Sequence, residues 1–226
     1  MKIAVLGTGM VGKAFADRLV GLGHEVTVGT RDVAATMAST EPDRRGNPPY
    51  SVWAGDHPEV ELATFAEAAG DAELIVNATS GNVSIAVLEA AGRDNLAGKV
   101  LLDVSNPLDG SAGFPPTLFV KDTDSLGEQI QADFAELKVV KALNTMTAAL
   151  MVNPRQLADG QHSVFVAGND PQAKESVTDL LTSFGHTDVI DLGDLSTARG
   201  AEMYLALWLR LAGALHTSHF NIKVVR

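Results

Sequence analysis

Three glycines near the N-terminus have the spacing of a phosphate-binding loop. Gly7, Gly9 and Gly12 directly follow the apolar run 2–6 and open a helical pattern. In such a loop the first glycine permits a tight turn, the second lets a pyrophosphate approach the backbone, and the third lets helix and strand pack closely. Free N–H groups and the helix dipole at the helix start attract phosphates. We therefore predict a dinucleotide-binding loop at residues 7–12, with a glycine turn that binds no ligand as the alternative.

The residues after the second predicted strand indicate which dinucleotide is bound. Thr30 and Arg31 stand about twenty residues beyond the glycine loop, where an NAD-binding unit carries Asp or Glu for the ribose 2′-hydroxyl. A hydroxyl and a guanidinium suit a 2′-phosphate, whereas a carboxylate would repel it. Asp32 follows, and we interpret it as the N-cap of the next helix. The pattern predicts NADP(H) in preference to NAD(H).

Hydrophobic periodicity predicts the elements that must position these residues. A helix follows the glycine loop, with Val11, Ala14, Phe15 and Leu19 on one face. Strands alternate with helices along the chain, which predicts an α/β fold: a doubly wound, Rossmann-type, mostly parallel sheet with a small C-terminal helical and strand extension. The predicted strands are 2–6, 25–29, 60–63, 74–77, 100–104, 137–140, 163–167 and 189–192, and the further helices are 65–69, 83–91, 124–134, 171–184 and 197–214.

The chain is divided, in this interpretation, into two parts. Residues 1–145 are predicted to form the NADP(H)-binding domain, and residues 146–226 to complete the sheet, the acceptor site and a dimer interface. The proline-rich segment 40–58 is predicted as a long loop that acts as a lid or an oligomer contact. A second loop is predicted at 106–116.

Composition excludes several classes of function. The formal net charge is −11, so a general nucleic-acid binder is not expected. The chain has no cysteine and its six histidines show no ligand-like spacing, so we predict no disulfide, iron–sulfur cluster or other metal site. No signal-peptide pattern is present, and the apolar stretch 203–215 contains Arg210 and is too short for a membrane span. We expect a cytoplasmic protein without membrane partners.

Four segments of the chain form a recognisable set: 7–12, 29–31, 103–107 and 139–145. Together they resemble the NADPH-dependent reductases of coenzyme F420, a deazaflavin, and the related N-terminal domains of the STEAP metalloreductases. The similarity extends over nearly the whole chain, including the closing helix with Ala198, Arg199 and Glu202. The segment Val-Lys-Ala-Leu-Asn-Thr is the most specific of these motifs.

The resemblance implies roles for residues that match the family's motifs. It implies NADP(H) as cofactor and hydride transfer to coenzyme F420, a small-molecule co-substrate. Direct hydride transfer needs no general acid on the NADP side, so we assign no catalytic acid or base. Gly7, Gly9 and Gly12 would shape the cofactor loop. Pyrophosphate contacts would come from Thr8, Gly9, Met10 and Val11, and 2′-phosphate contacts from Thr30 and Arg31. The ribose and nicotinamide would lie against Ala78, Thr79, Ser105, Asn106, Pro107, Ala142, Leu143 and Asn144.

Some positions depart from the family's pattern on the acceptor side. Some archaeal members carry Pro-Trp where this chain has Thr79-Ser80-Gly81, and His-Thr where it has Asn144-Thr145. A reductase of another acceptor, such as a flavin, a quinone or ferric iron, is therefore an alternative. A non-catalytic NADP(H) sensor is a second alternative, and a hydroxy-acid or imino-acid dehydrogenase a third.

The closing helix carries two further interpretations. Arg199 and Glu202, three residues apart, are interpreted as a structural ion pair. The helix is apolar nearly all round from Met203 to Leu211, which is typical of a buried helix. We predict that it forms a homodimer interface, with a core helix as the alternative.

Overall fold

The predicted strands pair in one eight-stranded sheet in the order β10-β9-β8-β5-β4-β1-β2-β3. The structure, a computed structural model, describes residues 1–42 and 46–226. Neighbouring strands are parallel except for β8 and β9, which confirms the predicted mostly parallel α/β fold. The strands of this sheet are β1 (Lys2–Leu6), β2 (Glu25–Thr30), β3 (Glu61–Thr64), β4 (Leu74–Asn77), β5 (Val100–Asp103), β8 (Lys138–Ala142), β9 (Ser163–Gly168) and β10 (Asp188–Gly193); β6 (Leu108–Asp109) and β7 (Thr117–Leu118) form a separate hairpin.

Helices cover both faces of the sheet, so its strands are apolar on both sides. Ile3 and Val5 belong to one core, whereas Ala4 and Leu6 of the same strand belong to the other. The helices are α1 (Met10–Gly21), α2 (Val33–Ala38), α3 (Tyr50–Gly55), α4 (Phe65–Asp71), α5 (Ser84–Ala91), α6 (Arg93–Leu96), α7 (Leu126–Asp133), α8 (Ala148–Val152), α9 (Pro171–Phe184) and α10 (Ala198–Leu215). The first core contains residues of α1, α8 and α9, and the second contains residues of α4, α5 and α7.

Both segments predicted as loops contain regular structure. Within 40–58 the residues Tyr50–Gly55 form α3, because Tyr50 is buried in the first core and stabilises a helix that its short sequence does not favour. Within 106–116 the prediction was wrong at β6, which pairs with β7 just beyond the predicted loop. Lys13 Nζ donates to the carbonyl of Pro48 at 2.9 Å, which ties the proline-rich segment to α1. Residues 43–45 of that segment lie outside the described residues.

The segment 146–226 contributes β9 and β10 to the sheet. The last residues of the chain pack on β9, where the Ser163 N–H donates to the carbonyl of Ile222 at 2.9 Å. Asp188 of β10 accepts from Ser163 Oγ at 2.6 Å and from Lys223 Nζ at 2.7 Å. A domain boundary near residue 145 stays a prediction, since β8 and β9 lie on either side of it and are hydrogen-bonded neighbours.

Stability should fall in mild acid because of a buried histidine. His186 is 2% exposed, and its Nε2 lies 2.9 Å from the carbonyl oxygen of Met151. Burial, with a smaller contribution from the charge of His162, lowers the pKa of His186 from 6.5 to about 4. The unfolded chain then binds the proton more readily than the folded chain between these values. The folded state should therefore lose about 2–3 kcal/mol as the pH falls from about 6.5 to about 4.

The measurement is urea unfolding at a series of pH values for the wild type, His186→Gln and His219→Gln. The His186 variant should have a flatter stability profile across this interval. His219 is exposed, so its variant should keep the wild-type slope. Equal slopes for all three proteins would contradict the assignment to His186.

Candidate cofactor site

The glycine loop has the geometry that its spacing predicts. Gly7 adopts a φ of +121°, and a Cβ there would lie 2.8 Å from the carbonyl oxygen of Ala78. A Cβ on Gly12 would lie 1.9 Å from the carbonyl oxygen of Gly7, so helix and strand pack too closely for any side chain. A Cβ on Gly9 would meet no atom within 4 Å. Two glycines are therefore required by the fold, and the third borders open space.

The start of α1 fits an anionic group. Gly9 is the N-cap and supplies no side-chain hydrogen bond, and the first turn has no acidic residue. The N–H groups of Met10 and Val11 at this end thus keep the partial positive charge of the helix. Thr8 precedes them in the same loop. The open space at Gly9 and the uncapped helix end fit the pyrophosphate of a dinucleotide.

The end of β2 presents a cation and a hydroxyl. Thr30 is 7% exposed, and its Oγ1 lies 2.8 Å from Thr36 Oγ1. Arg31 is exposed. Asp32 accepts from the N–H of Ala35 at 2.9 Å, which confirms its interpretation as the N-cap of α2. Its carboxylate is therefore engaged with the helix backbone. Thr36 was missed in the sequence because its contact to Thr30 depends on the course of α2.

Three polar side chains stand next to one another at the carboxyl ends of β4, β5 and β8. Asn77 pairs in register with Asp103, and Asp103 pairs with Lys141. Asn77 Nδ2 donates to Asp103 Oδ1 at 2.9 Å, and Lys141 Nζ donates to Asp103 Oδ2 at 2.8 Å. All three residues are buried. A lysine that follows the buried pair Val139 and Val140 in a central strand is costly to bury without a partner, and that signal could have identified Lys141.

Lys141 has a second carboxylate partner on α10. Its Nζ lies 2.8 Å from Glu202 Oε1 and donates to the carbonyl of Ser105 at 2.7 Å. Glu202 also accepts from the N–H groups of Leu126 and Gly127, at the start of α7. Burial by itself lowers the pKa of Lys141, but the charges of Asp103 and Glu202 outweigh burial and raise that pKa above its ordinary value.

The predicted pair of Arg199 and Glu202 is wrong. Arg199 Nε donates instead to Glu128 Oε2 of α7 at 2.8 Å, while Glu202 binds Lys141. Residues three apart on a helix are neighbours, but these two side chains find stronger partners on packed elements. Tertiary contacts, which local spacing does not reveal, decided both pairs.

The loops after β5 and β8 are joined by their asparagines. Asn106 Nδ2 donates to the carbonyl of Asn144 at 2.9 Å, and Asn144 Nδ2 donates to Asn106 Oδ1 and to the carbonyl of Ala201, each at 3.0 Å. Leu143 adopts a positive φ of 61° in this turn. Both amide hydrogens of Asn144 are thus used within the protein. The two loops and α10 form one continuous wall.

Thr79 belongs to the same hydrogen-bonded cluster. Its Oγ1 donates to Asn77 Oδ1 at 2.6 Å and lies 3.0 Å from Ser84 Oγ. Ala78 continues β4 by donating its N–H to the carbonyl of Leu6 at 3.0 Å. Asn77 and Thr79 therefore close the end of β4, and Thr79 also borders the glycine loop.

The structure brings the predicted site residues to one edge of the sheet. The glycine loop after β1 lies between β2 and β4, so the 2′-phosphate candidates and the wall candidates stand on opposite sides of it. Open α/β sheets bind dinucleotides at this position, where the strand order reverses. The wall residues are Ala78, Thr79, Ser105, Asn106, Pro107, Ala142, Leu143 and Asn144. Among the described residues, no group of three His, Asp or Glu side chains could hold a metal ion.

Comparison with known proteins identifies the family. The family model described as NADP oxidoreductase, coenzyme F420-dependent, matches residues 2–107. The crystal structure of a candidate F420-dependent NADP-reductase from Arthrobacter sp. FB24 is 62% identical, covers 100% of both chains and superposes with a TM-score of 0.96. The chain belongs to the coenzyme F420-dependent NADP oxidoreductase family. This assignment confirms the predicted class: an NADP-dependent oxidoreductase with NADP(H) as cofactor and F420 as the family's partner substrate.

Relatives within and beyond this F420-dependent family differ in length. The F420-dependent NADP reductase of Methanothermobacter marburgensis is 28% identical over 93% of this chain and 92% of its own length. The metalloreductase STEAP3 of Rattus norvegicus is 32% identical over 93% of this chain, which spans only 37% of that relative. No helix in residues 1–42 and 46–226 is long and apolar enough to cross a membrane.

Proposed function

We propose that this protein transfers a hydride between NADP(H) and coenzyme F420. The proposal rests on one observation: three features meet at a single edge of the sheet. They are the open phosphate loop, the end of β2 with Arg31, and the buried polar wall. The F420-dependent NADP reductase of Methanothermobacter marburgensis matches this chain over 92% of its own length, which supports F420 as the acceptor. Most of the STEAP3 chain has no counterpart here.

Each part of the edge has a proposed task. The N–H groups of Thr8–Val11 hold the pyrophosphate, and Thr30 and Arg31 hold the 2′-phosphate. Ala78 and Thr79 flank the ribose, and the wall of Ser105–Pro107 and Ala142–Asn144 holds the nicotinamide. Bound NADPH supplies the hydride. Such a transfer needs two stacked rings in water-poor surroundings, and the buried, hydrogen-bonded wall provides a rigid support for them.

The direct test is reduction of purified coenzyme F420 by NADPH, with FMN and FAD as parallel acceptors. We expect rapid loss of the deazaflavin absorbance and slow reaction with both flavins. NADPH binding without F420 reduction would overturn the proposed acceptor and leave the family and the cofactor in place. The 32% identity to a metalloreductase favours a flavin or ferric iron as the second candidate, which fast flavin or ferric reduction would support.

Removing the cation at the end of β2 should weaken NADPH binding. Arg31→Ala deletes a charge-assisted hydrogen bond to the 2′-phosphate, worth about 1.5–3 kcal/mol, so the Kd for NADPH should rise roughly tenfold to a hundredfold. The Kd for NADH, which lacks that phosphate, should stay unchanged. Fluorescence titration of both nucleotides checks this.

The matched control for Arg31 is Lys2→Ala. Lys2 is an exposed cation at the opposite, amino end of the sheet and pairs with Glu25. Its loss should leave both nucleotide affinities unchanged. A wild-type Kd for NADPH in the Arg31 variant would refute its assignment to the 2′-phosphate.

We propose that the second half of α10 forms the seam of a homodimer. Ala198, Ala201, Glu202 and Leu205 are buried, but no α10 residue after Leu205 is buried in the single chain. The second half of α10 therefore lies outside the core of the single chain, and its burial in a dimer interface stays a prediction. Leu207 is 55% exposed and Leu215 is 53% exposed. Burying such side chains against a second copy would stabilise an assembly.

Light scattering on the purified protein should give the mass of a dimer. Leu207→Glu combined with Leu215→Glu places charges in the seam, and we expect the dimer Kd to rise at least about 30-fold. Met37→Glu is the control, because Met37 is similarly exposed, at 45%, but lies on α2. A monomeric wild type, or equal effects of both changes, would contradict this seam.

A further inference from the structure

The buried cluster below the proposed nicotinamide wall carries an unbalanced charge. It contains one cation, Lys141, and two carboxylates, Asp103 and Glu202, whose side chains are at most 2% exposed. Asp103 accepts from Asn77 Nδ2, from the N–H and Oγ of Ser105, and from Lys141 Nζ. Glu202 meets two backbone N–H groups and the ammonium. Every partner of both carboxylates is a donor, and with the single ammonium the formal net charge of the cluster is one negative unit.

Neighbouring groups do not cancel this charge. The start of α7 adds at most about half a positive charge beside Glu202. Arg199 and Glu128, the nearest charges on α10 and α7, form an ion pair with each other and are together neutral. The cluster is shielded from water, so its field is screened less than that of surface charges. A negative potential therefore remains at this end of the sheet.

The cluster adjoins the wall both along the chain and in space. Asp103 precedes Ser105 by two residues, and Ser105 donates its hydroxyl to Asp103 at 2.7 Å. Lys141 directly precedes the turn 142–144. Glu202 follows Ala201, whose carbonyl accepts from Asn144. In both loops of the wall, residues thus lie one or two positions along the chain from a charged member of the cluster.

We propose that the Asp103–Lys141–Glu202 cluster tunes the bound nicotinamide toward its oxidised form. The nicotinamide ring is neutral in NADPH and positively charged in NADP⁺, after the hydride with its two electrons has left for the acceptor. A fixed negative charge beside the ring stabilises the oxidised form and so makes bound NADPH the better hydride donor. The inference rests on the proposed position of the nicotinamide, and it does not depend on which acceptor is used.

The test compares the affinities of the two cofactor forms. Glu202→Gln and Asp103→Asn each remove one negative charge and nearly keep the side-chain shape. In each variant the Kd for NADP⁺ should rise about five- to thirtyfold more than the Kd for NADPH. A tenfold change in this ratio corresponds to a shift of about 30 mV in the two-electron potential of the bound cofactor. Fluorescence titration gives the NADPH Kd, and competition gives the NADP⁺ Kd.

Two controls separate charge from disturbed packing. The double variant Lys141→Met with Glu202→Gln alters the same cluster but keeps one net negative charge, so its Kd ratio should match the wild type. Asp191 of β10 forms an ion pair with Lys174 of α9 at the surface, away from the cluster. Asp191→Asn removes that carboxylate and should leave the Kd ratio unchanged. Should Glu202→Gln fail to fold, Asp103→Asn tests the same charge change.

The outcomes distinguish this inference from the proposed function. Shifted ratios in the single variants with a wild-type ratio in the double variant support the tuning. Equal changes in both Kd values, or a shift in the double variant, overturn it. If the wild type fails to reduce F420 but the ratio shifts as expected, the acceptor is wrong and the tuning holds. If F420 is reduced and the ratio does not shift, only the tuning fails.

Discussion

Gly9→Ala is expected to weaken NADPH binding about 10- to 100-fold while leaving the fold intact. The new methyl group meets no protein atom within 4 Å, and the φ of −77° at Gly9 suits alanine. The methyl group would instead occupy the space where the pyrophosphate reaches the N–H groups of α1. Losing one or two hydrogen bonds to a charged group accounts for this range. NADPH titration and thermal unfolding of the apoprotein measure the two effects, and Tm should change by less than about 3 °C.

Gly12→Ala is the matched comparison within the same loop. Its Cβ would lie 1.9 Å from the carbonyl oxygen of Gly7, and neither backbone segment can move without disturbing β1 or α1. Overpacking of this kind costs about 3 kcal/mol, so Tm should fall by about 6–12 °C along with NADPH affinity. The two variants add the same methyl group, and only the Gly12 variant should lose stability. A large Tm loss in Gly9→Ala would contradict the open phosphate site.

Lys141→Met should be the most destabilising single substitution in the sheet. It keeps much of the side-chain volume but leaves Asp103 and Glu202 buried without their common cation. Removing one partner from a buried ion pair costs about 3–5 kcal/mol, because the remaining charge is uncompensated. Urea unfolding at neutral pH measures the change in the free energy of unfolding. The loss should also loosen the wall, since Lys141 holds the carbonyl of Ser105.

Two further variants define what the lysine contributes. Lys174→Met removes a cation that pairs with Asp191, whose side chain is 60% exposed, and should cost less than about 1 kcal/mol. The double variant Lys141→Met with Glu202→Gln should be more stable than Lys141→Met, because one uncompensated carboxylate has been neutralised. Equal losses for Lys141→Met and Lys174→Met would show that the buried cluster is not a stabilising ion network.

The predictions concern two physically different parts of the same edge. The phosphate loop is made of backbone groups. Its open space and close packing depend on the absence of side chains at Gly9 and Gly12. The wall is made of side chains, and its rigidity depends on a buried network that extends from Asn77 to Glu202. Gly9→Ala should therefore change binding without changing stability, whereas variants of the wall should affect both.

The fold class follows from the amino-acid sequence alone, and so does the predicted cofactor end of the site. The strand–loop–helix pattern around Gly7–Gly12 needs only local information, because each glycine's role follows from its place in one turn. The proposal that Thr30 and Arg31 bind the 2′-phosphate was reached in the same way, from their distance along the chain from that turn. The alternation of strands and helices then restricted the topology to a parallel, doubly wound sheet, since crossover connections favour that arrangement.

The partners of the charged residues and the environment of α10 depend on tertiary contacts. Lys141 and Asp103 are hydrogen-bonded although they lie 38 residues apart along the chain. No local pattern joins either of them to Glu202. Arg199 pairs with Glu128 because α7 and α10 pack together, and α3 forms because Tyr50 is buried. Long-range contacts such as these depend on how complete elements are arranged. The energies of burial and ion pairing determine which of these contacts form, and the local spacing of residues gives no information about those energies.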